Sequence, residues 1–134
     1  MGKITVITGG TSGIGRGIAE KILAESAKED RIFVTYGHDE KKAAVFRDSL
    51  PEEKKSQVIL MKADMSSYDE MMAFVEELKK RADHIDWLVS NAGISTYAKY
   101  EDYSFEEWTR IVNTNLSVPV FMVKELRSMM AEGG

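Results

Sequence analysis

Short β-branched runs alternate with longer amphipathic stretches along the whole chain, and no other feature restricts its fold so severely. Lys3 to Thr8 reads as a buried strand, and Gly13 to about Ala27 follows with Ile14, Ile18, Ile22 and Leu23 at helical spacing. Arg31 to Tyr36 is a second strand, Asp39 to about Leu50 a second helix closed by Pro51, and Gln57 to Met61 a third strand. Ser67-Tyr-Asp-Glu70 has the pattern of a capping box and opens a helix whose inner face is Met71, Phe74, Val75 and Leu78. Ile85 to Val89 is a fourth strand. Ser104-Phe-Glu-Glu107 repeats the capping pattern, and the spacing predicts one long helix from there to about Ala131, kinked at Pro119. The order βαβαβαβα requires a parallel sheet with helices on both faces, joined by right-handed crossovers. The expected fold is therefore α/β, a doubly wound Rossmann-type sheet in a three-layer α/β/α arrangement. With no repeat, linker or low-complexity tract, residues 1–134 read as one domain or part of one.

Composition narrows the function classes. A net charge of -4 argues against a nucleic-acid footprint, which needs a basic stripe against phosphates. The absence of cysteine excludes disulfides, thiolate nucleophiles and Cys-type metal sites. His38 and His84 read as too isolated for a metal site or a catalytic triad and are expected on the surface, and no metal is implied. No secretory apolar core precedes Gly9 and no stretch reaches membrane-spanning length, which points to a cytoplasmic protein without a membrane partner.

The segment Thr8-Gly-Gly-Thr-Ser-Gly-Ile-Gly15 sits where the first strand gives way to the first helix. A phosphate approaching the amides of a helix N-terminus needs positions without Cβ atoms. Gly9 would permit the tight turn, Gly13 the close approach of a pyrophosphate, and Gly15 the packing of helix on strand, while Thr11 and Ser12 could add hydroxyl donors. Three readings compete: a turn that binds nothing, a P-loop, and a dinucleotide site. The P-loop fails on its key groups, because Arg16 and Gly17 stand where Lys and Ser or Thr belong.

Thr8-Gly9-x-x-x-Gly13-Ile14-Gly15 resembles the cofactor motif of the short-chain dehydrogenases/reductases, and three further motifs follow in order. Asp64-Met65 resembles the family's adenine-contacting Asp and its neighbour. Ser90-Asn91-Ala92-Gly93 resembles its Asn-Asn-Ala-Gly motif, with Ser90 in place of the first Asn. Asn113-Thr-Asn115-Leu resembles its Asn-x-Asn-Leu segment, whose second Asn belongs to the catalytic tetrad. The resemblance covers the chain, extends over Val34 to Ala43 to the equivalent loop of ketoacyl carrier-protein reductases, and implies strand order 3-2-1-4. It implies hydride transfer between a nicotinamide and a carbonyl or alcohol, with the cofactor held by Gly9, Thr11, Ser12, Gly13, Ile14, Gly15, Tyr36, Asp64, Met65, Asn91, Ala92 and Gly93. Asn115 would position a water in the proton relay. Each motif residue also has a plainer reading: Asp64 could initiate a helix, Asn91 could tie adjacent strands, Gly93 could serve its turn, and Asn115 could be solvated.

Cofactor preference is read at the end of the second strand, where an acidic residue selects NAD. Tyr36 stands there instead, with Asp39 close by; His38, Lys41 and Lys42 could meet a 2′-phosphate, although a solvated helix face explains the lysines equally. The loop favours NADP over NAD.

The family's reaction also needs a Ser and a Tyr followed four residues later by Lys. None of the tyrosines at 36, 68, 97, 100 and 103 has that Lys. This stretch corresponds to the family's front half, truncated after the fourth βα unit, and is expected to bind cofactor without turnover. A non-catalytic dinucleotide-binding module and a fragment that keeps only the fold are the alternatives. Strand order leaves the fourth strand at an exposed edge. The predicted helix 104–131 carries Phe105, Trp108, Ile111, Val112, Leu116, Val120, Phe121, Met122, Val123 and Leu126, more apolar surface than one sheet face covers. Self-association through it is expected, and the family uses this helix in dimer packing.

Overall fold

A computed structural model describes residues 1–134. Strands β1 (Ile4–Ile7), β2 (Arg31–Tyr36), β3 (Val58–Lys62) and β4 (Trp87–Val89) form one parallel sheet in the order β3-β2-β1-β4. Helices α1 (Gly13–Glu25), α2 (Glu40–Ser49) and α3 (Tyr68–Arg81) connect them, and α4 (Phe105–Val112) and α5 (Val118–Leu126) follow β4. This is the doubly wound α/β/α arrangement that the alternation requires. No helix is long and apolar enough to cross a membrane.

Strand alternation divides the core between the two faces. Val6 and Phe33, register neighbours on β1 and β2, pack with Met61 against Met71, Phe74, Val75 and Leu78 of α3 and Val118, Met122 and Leu126 of α5. Ile7 and Val34, one step along, pack with Ile32 and Val58 against Ala19 and Leu23 of α1 and Phe46 of α2. Each fully buried side chain of this size contributes roughly 1.5–3 kcal/mol before entropy is counted. Side-chain caps open three of the helices: Asp39 accepts from the Lys42 amide, Ser67 from Glu70 and Ser104 from Glu107. The hydroxyl halves of both expected capping boxes are thus in place. At α3 the returning carboxylate of Glu70 accepts from the Asp64 amide instead (3.2 Å).

The single helix expected from Ser104 to Ala131 is a correction. A π-turn over Asn113–Ser117 divides α4 from α5, and α5 ends at Leu126. Pro119 supplies the reason: it has no amide to donate to the Asn115 carbonyl, and its ring would strike that carbonyl in a regular helix. The widened turn lies immediately before it, closing through the Val118 amide onto the Asn113 carbonyl. After α5, a 3-10 turn over Arg127–Met129 leads to Met130, which bridges Ile85 in parallel. The Ile85 amide donates to the Met129 carbonyl (2.8 Å) and the Ala131 amide to the Ile85 carbonyl (2.8 Å). These bonds draw the chain out of its helix before Ala131. β4 is the outer strand of the sheet, as the strand order implies, and these bonds cover only the residues that lead into it. Along β4 itself Trp87 remains 46% exposed, with the Lys3 ammonium 4.9 Å from its ring centre.

His84 is not the isolated surface residue expected. Its ring lies between Asp83 (2.6 Å) and Asp86 (3.2 Å), and Asp86 in turn accepts from the Ile4 amide (2.7 Å). The hydrogen bond with Asp83, outweighing partial desolvation and joined by the charges of both carboxylates, raises its pKa above the ordinary histidine value.

Candidate functional site

A cleft of ≈ 400 Å³ opens at the carboxyl ends of the strands, where β1 and β4 lie side by side. Such crevices are the usual ligand position in open α/β sheets. Its floor is the β1–α1 turn. Gly9 and Gly13 have φ of 65° and 56°, a region that L side chains avoid. A Cβ on Gly13 would meet nothing within 4 Å, so the space above it is open. Gly15 does the opposite: a Cβ there would strike the Asn91 amide nitrogen and the Gly9 carbonyl oxygen, so α1 sits directly on the turn. α1 starts without a side-chain cap and without an acidic residue in its first turn, although Ser12 holds the N-cap position. Its first amides are therefore free for an anion, in contrast to α2, α3 and α4. Ile14 is 79% exposed at the same place.

The strand ends are cross-tied beneath this turn. Thr8 is buried, and its hydroxyl oxygen accepts from the amides of Asn91 and Ala92, both at 3.0 Å. The Asn91 side chain donates to the carbonyls of Thr8 (3.0 Å) and Gly9 (3.1 Å). The strand-tying reading of Asn91 is thus present in the structure, and the residue also lines the cleft. On the β2 side the Thr35 hydroxyl accepts from the Gly9 amide (3.1 Å).

Asp64 forms the far wall. Its Oδ1 accepts from the amide (2.8 Å) and hydroxyl (2.7 Å) of Ser66, and the Ser67 amide donates to its carbonyl (3.0 Å), so it also shapes the entry to α3. Its Oδ2 lies 2.9 Å from His38 Nε2. Partial burial disfavours the charged carboxylate, but the Ser66 hydrogen bonds and the His38 contact outweigh it and hold the pKa below the ordinary value. His38 is therefore exposed, as expected, but not isolated.

Asn115, inside the π-turn, clamps the segment after β4. Its Oδ1 accepts from the Ile94 amide (2.9 Å) and its Nδ2 donates to the Ile94 carbonyl (2.8 Å). A Cβ on Gly93 would come within 3.3 Å of that Oδ1. The irregular turn projects the side chain onto the loop, a frequent use of π-turns at functional sites.

Of the residues picked from the sequence, Gly9, Ser12, Ile14, Asp64, Met65, Asn91, Ala92 and Gly93 line the cleft together. Thr11 and Gly13 line, with Ser12, a second recess beside Arg16, Asp39, Lys41 and Lys42. The Thr11 side chain is buried, as is Met65, whose thioether belongs to the core. Gly15 lies beneath the turn, Asn115 behind Ile94, and half-buried Tyr36 lines neither recess; its carbonyl accepts from the Ala63 amide (2.9 Å). Thr35, Gly37, Ala63, Ile94, Arg110 and Thr114 line the cleft without having been anticipated, and His38 joins it from the loop after β2. Strand register carries a signal for His38: Tyr36 pairs with Lys62, and His38 and Asp64 are each two residues further on.

The sequence model of the short chain dehydrogenase family matches residues 3–134. A 3beta-hydroxysteroid dehydrogenase of Mediterraneibacter gnavus is 32% identical over 133 residues, covering 98% of this chain and 46% of that protein. Two solved structures share the fold. A short-chain dehydrogenase/reductase described as a glucose/ribitol dehydrogenase, from Brucella melitensis, has a TM-score of 0.81 at 29% identity, covering 97% of this chain and 53% of that one. A blue fluorescent protein from a metagenomic library, in complex with NADPH, has a TM-score of 0.84 at 25% identity, covering 99% and 53%. The chain spans about half the length of the curated relatives it matches.

Proposed function

The chain belongs to the short-chain dehydrogenase family, and from that premise we propose that its cleft holds a nicotinamide adenine dinucleotide, NADP in preference to NAD. The observation that carries the reading is the uncapped start of α1 behind Gly13, whose missing Cβ leaves open space above the free amides. The diphosphate lies on those amides and Ile14 is covered by the ligand. Adenine reaches the carboxylate of Asp64 and the main chain of Met65, whose own side chain is committed to the core, and a ribose lies along Asn91 to Gly93. A 2′-phosphate meets the second recess, where Arg16, Lys41 and Lys42 stand and Tyr36 replaces an acid at the end of β2. Asp39, 3.8 Å from Lys42, offsets part of that charge. The neighbour with NADPH bound supports the preference.

In the whole protein the cofactor supplies hydride exchange with a carbonyl or alcohol, in a cytoplasmic setting. The residues here bind and orient it. Asn115 works through its main-chain carbonyl, since both ends of its side chain are taken up by Ile94. Pro119 has no amide to give that carbonyl, and a water is proposed to take its place. With no Tyr-x-x-x-Lys in the sequence, this chain alone binds without turnover. Titration with NADPH and NADH, followed by cofactor fluorescence and by absorbance in the presence of a carbonyl compound, tests both parts. Tighter binding of NADPH with no decay of its absorbance is expected. Absence of binding by folded chain would remove the reading, and carbonyl-dependent decay would show turnover without a Tyr-x-x-x-Lys.

A second copy of the chain is proposed to cover the stripe of Phe105, Trp108, Leu116, Val120 and Val123, which α4, the π-turn and α5 leave exposed. Sedimentation should show dimer or tetramer at high concentration. A monomer throughout would count against this packing.

A further inference from the structure

The contact between His38 and Asp64 joins the loop after β2 to the turn after β3 across the mouth of the cleft. Asp64 is ionised, because the two hydrogen bonds from Ser66 stabilise its charge. An ionised carboxylate only accepts, so His38 Nε2–H is the donor of this contact. The acceptor inventory of Asp64 is then countable. Oδ1 already receives two protons from Ser66, whereas Oδ2 receives one, from His38, and keeps a second lone pair. That remaining lone pair is the place left for a further donor from a ligand.

We propose that His38 is a positioning residue for the adenine end of the bound dinucleotide: by donating to Asp64 Oδ2 it fixes the lone pair that receives the exocyclic amine of the base. The proposal rests on the dinucleotide reading and adds a residue to it. The imidazole is 69% exposed without a ligand, so the pair is screened by water and adds little to the fold by itself. A base lying on Asp64 removes that water, and the hydrogen bond strengthens where it is needed. His38 supplies what a lysine could not: a planar donor with one direction, held by a backbone already fixed through the Ala63 amide and the Tyr36 carbonyl (2.9 Å).

The test compares NADPH with its hypoxanthine analogue, in which an oxygen replaces the amine and faces the carboxylate as a second acceptor. The unsubstituted chain should prefer NADPH about tenfold, the effect of one charged hydrogen bond. His38→Ala should reduce that preference to about twofold with little change in thermal stability, and His38→Gln, which keeps a donor at the same reach, should restore most of it. A merely structural role would weaken both ligands equally and leave their ratio unchanged. An unaltered ratio in His38→Ala, or no recovery in His38→Gln, overturns the positioning role while leaving dinucleotide binding intact. If the unsubstituted chain binds both ligands equally, the adenine contact at Asp64 falls and this role with it. If it binds neither, the cofactor reading itself has failed.

Discussion

Gly13→Ala is expected to leave the chain folded while lowering its affinity for NADPH about a hundredfold, a change of roughly 2.7 kcal/mol. Two separate effects make this substitution informative. Its φ of 56° would cost an alanine about 1–2 kcal/mol, tolerable within a total stability of about 5–15 kcal/mol. The new methyl meets no protein atom within 4 Å, so no neighbour has to move. It projects into the space that the proposed diphosphate would need in order to reach the first amides of α1. Circular dichroism and calorimetric titration together separate the two effects. A folded variant that binds NADPH as tightly as the unsubstituted chain would show that no ligand comes close to this position.

Thr8→Val should be strongly damaging although it nearly preserves the shape of the side chain. The hydroxyl oxygen is buried and accepts from two amides, those of Asn91 and Ala92. Valine fills the same space and leaves both donors, which belong to half-buried residues of the cleft wall, without a protein partner, at a cost of about 1–2 kcal/mol for each. A loss of about 2–4 kcal/mol corresponds to a fall in Tm on the order of 10 °C for a chain of this size. Thr8→Ser keeps the acceptor and should recover most of the loss. Thermal unfolding of the three proteins side by side decides the matter. A Thr8→Val variant melting within about 2 °C of the parent would mean that water or local adjustment satisfies the two amides, so that the hydroxyl is not the tie it is argued to be.

The sheet was legible because the β-branched runs at 3–8, 31–36 and 57–61 are short, apolar and separated by helical periodicity. The structure moves their bounds by one residue at most. The glycine turn was legible too, since positive φ and close approach leave few residue choices. The π-turn was not. Widening one turn over Asn113–Ser117 barely shifts the apolar spacing, so periodicity reads straight through it, and Pro119 signals a disturbance without saying where the slack is taken up. The exit of Met130 from helical geometry was hidden for another reason. Arg127 to Ala131 has adequate helix propensity, and only pairing with Ile85, 45 residues earlier, overrides it. His84 was misread because its partners, Asp83 and Asp86, lie one and two residues away; the sequence places them together but does not show that all three turn toward one another.

The bare start of α1 has a consequence for the molecule as a whole. Ser12 withholds the bond that Asp39, Ser67 and Ser104 make for their helices, and a helix beginning without one forgoes about 1 kcal/mol. An anion settling on those amides completes the helix as a side chain does elsewhere. On the proposed reading the ligand would supply the missing last piece of secondary structure, and the empty protein would be the more fragile of the two forms.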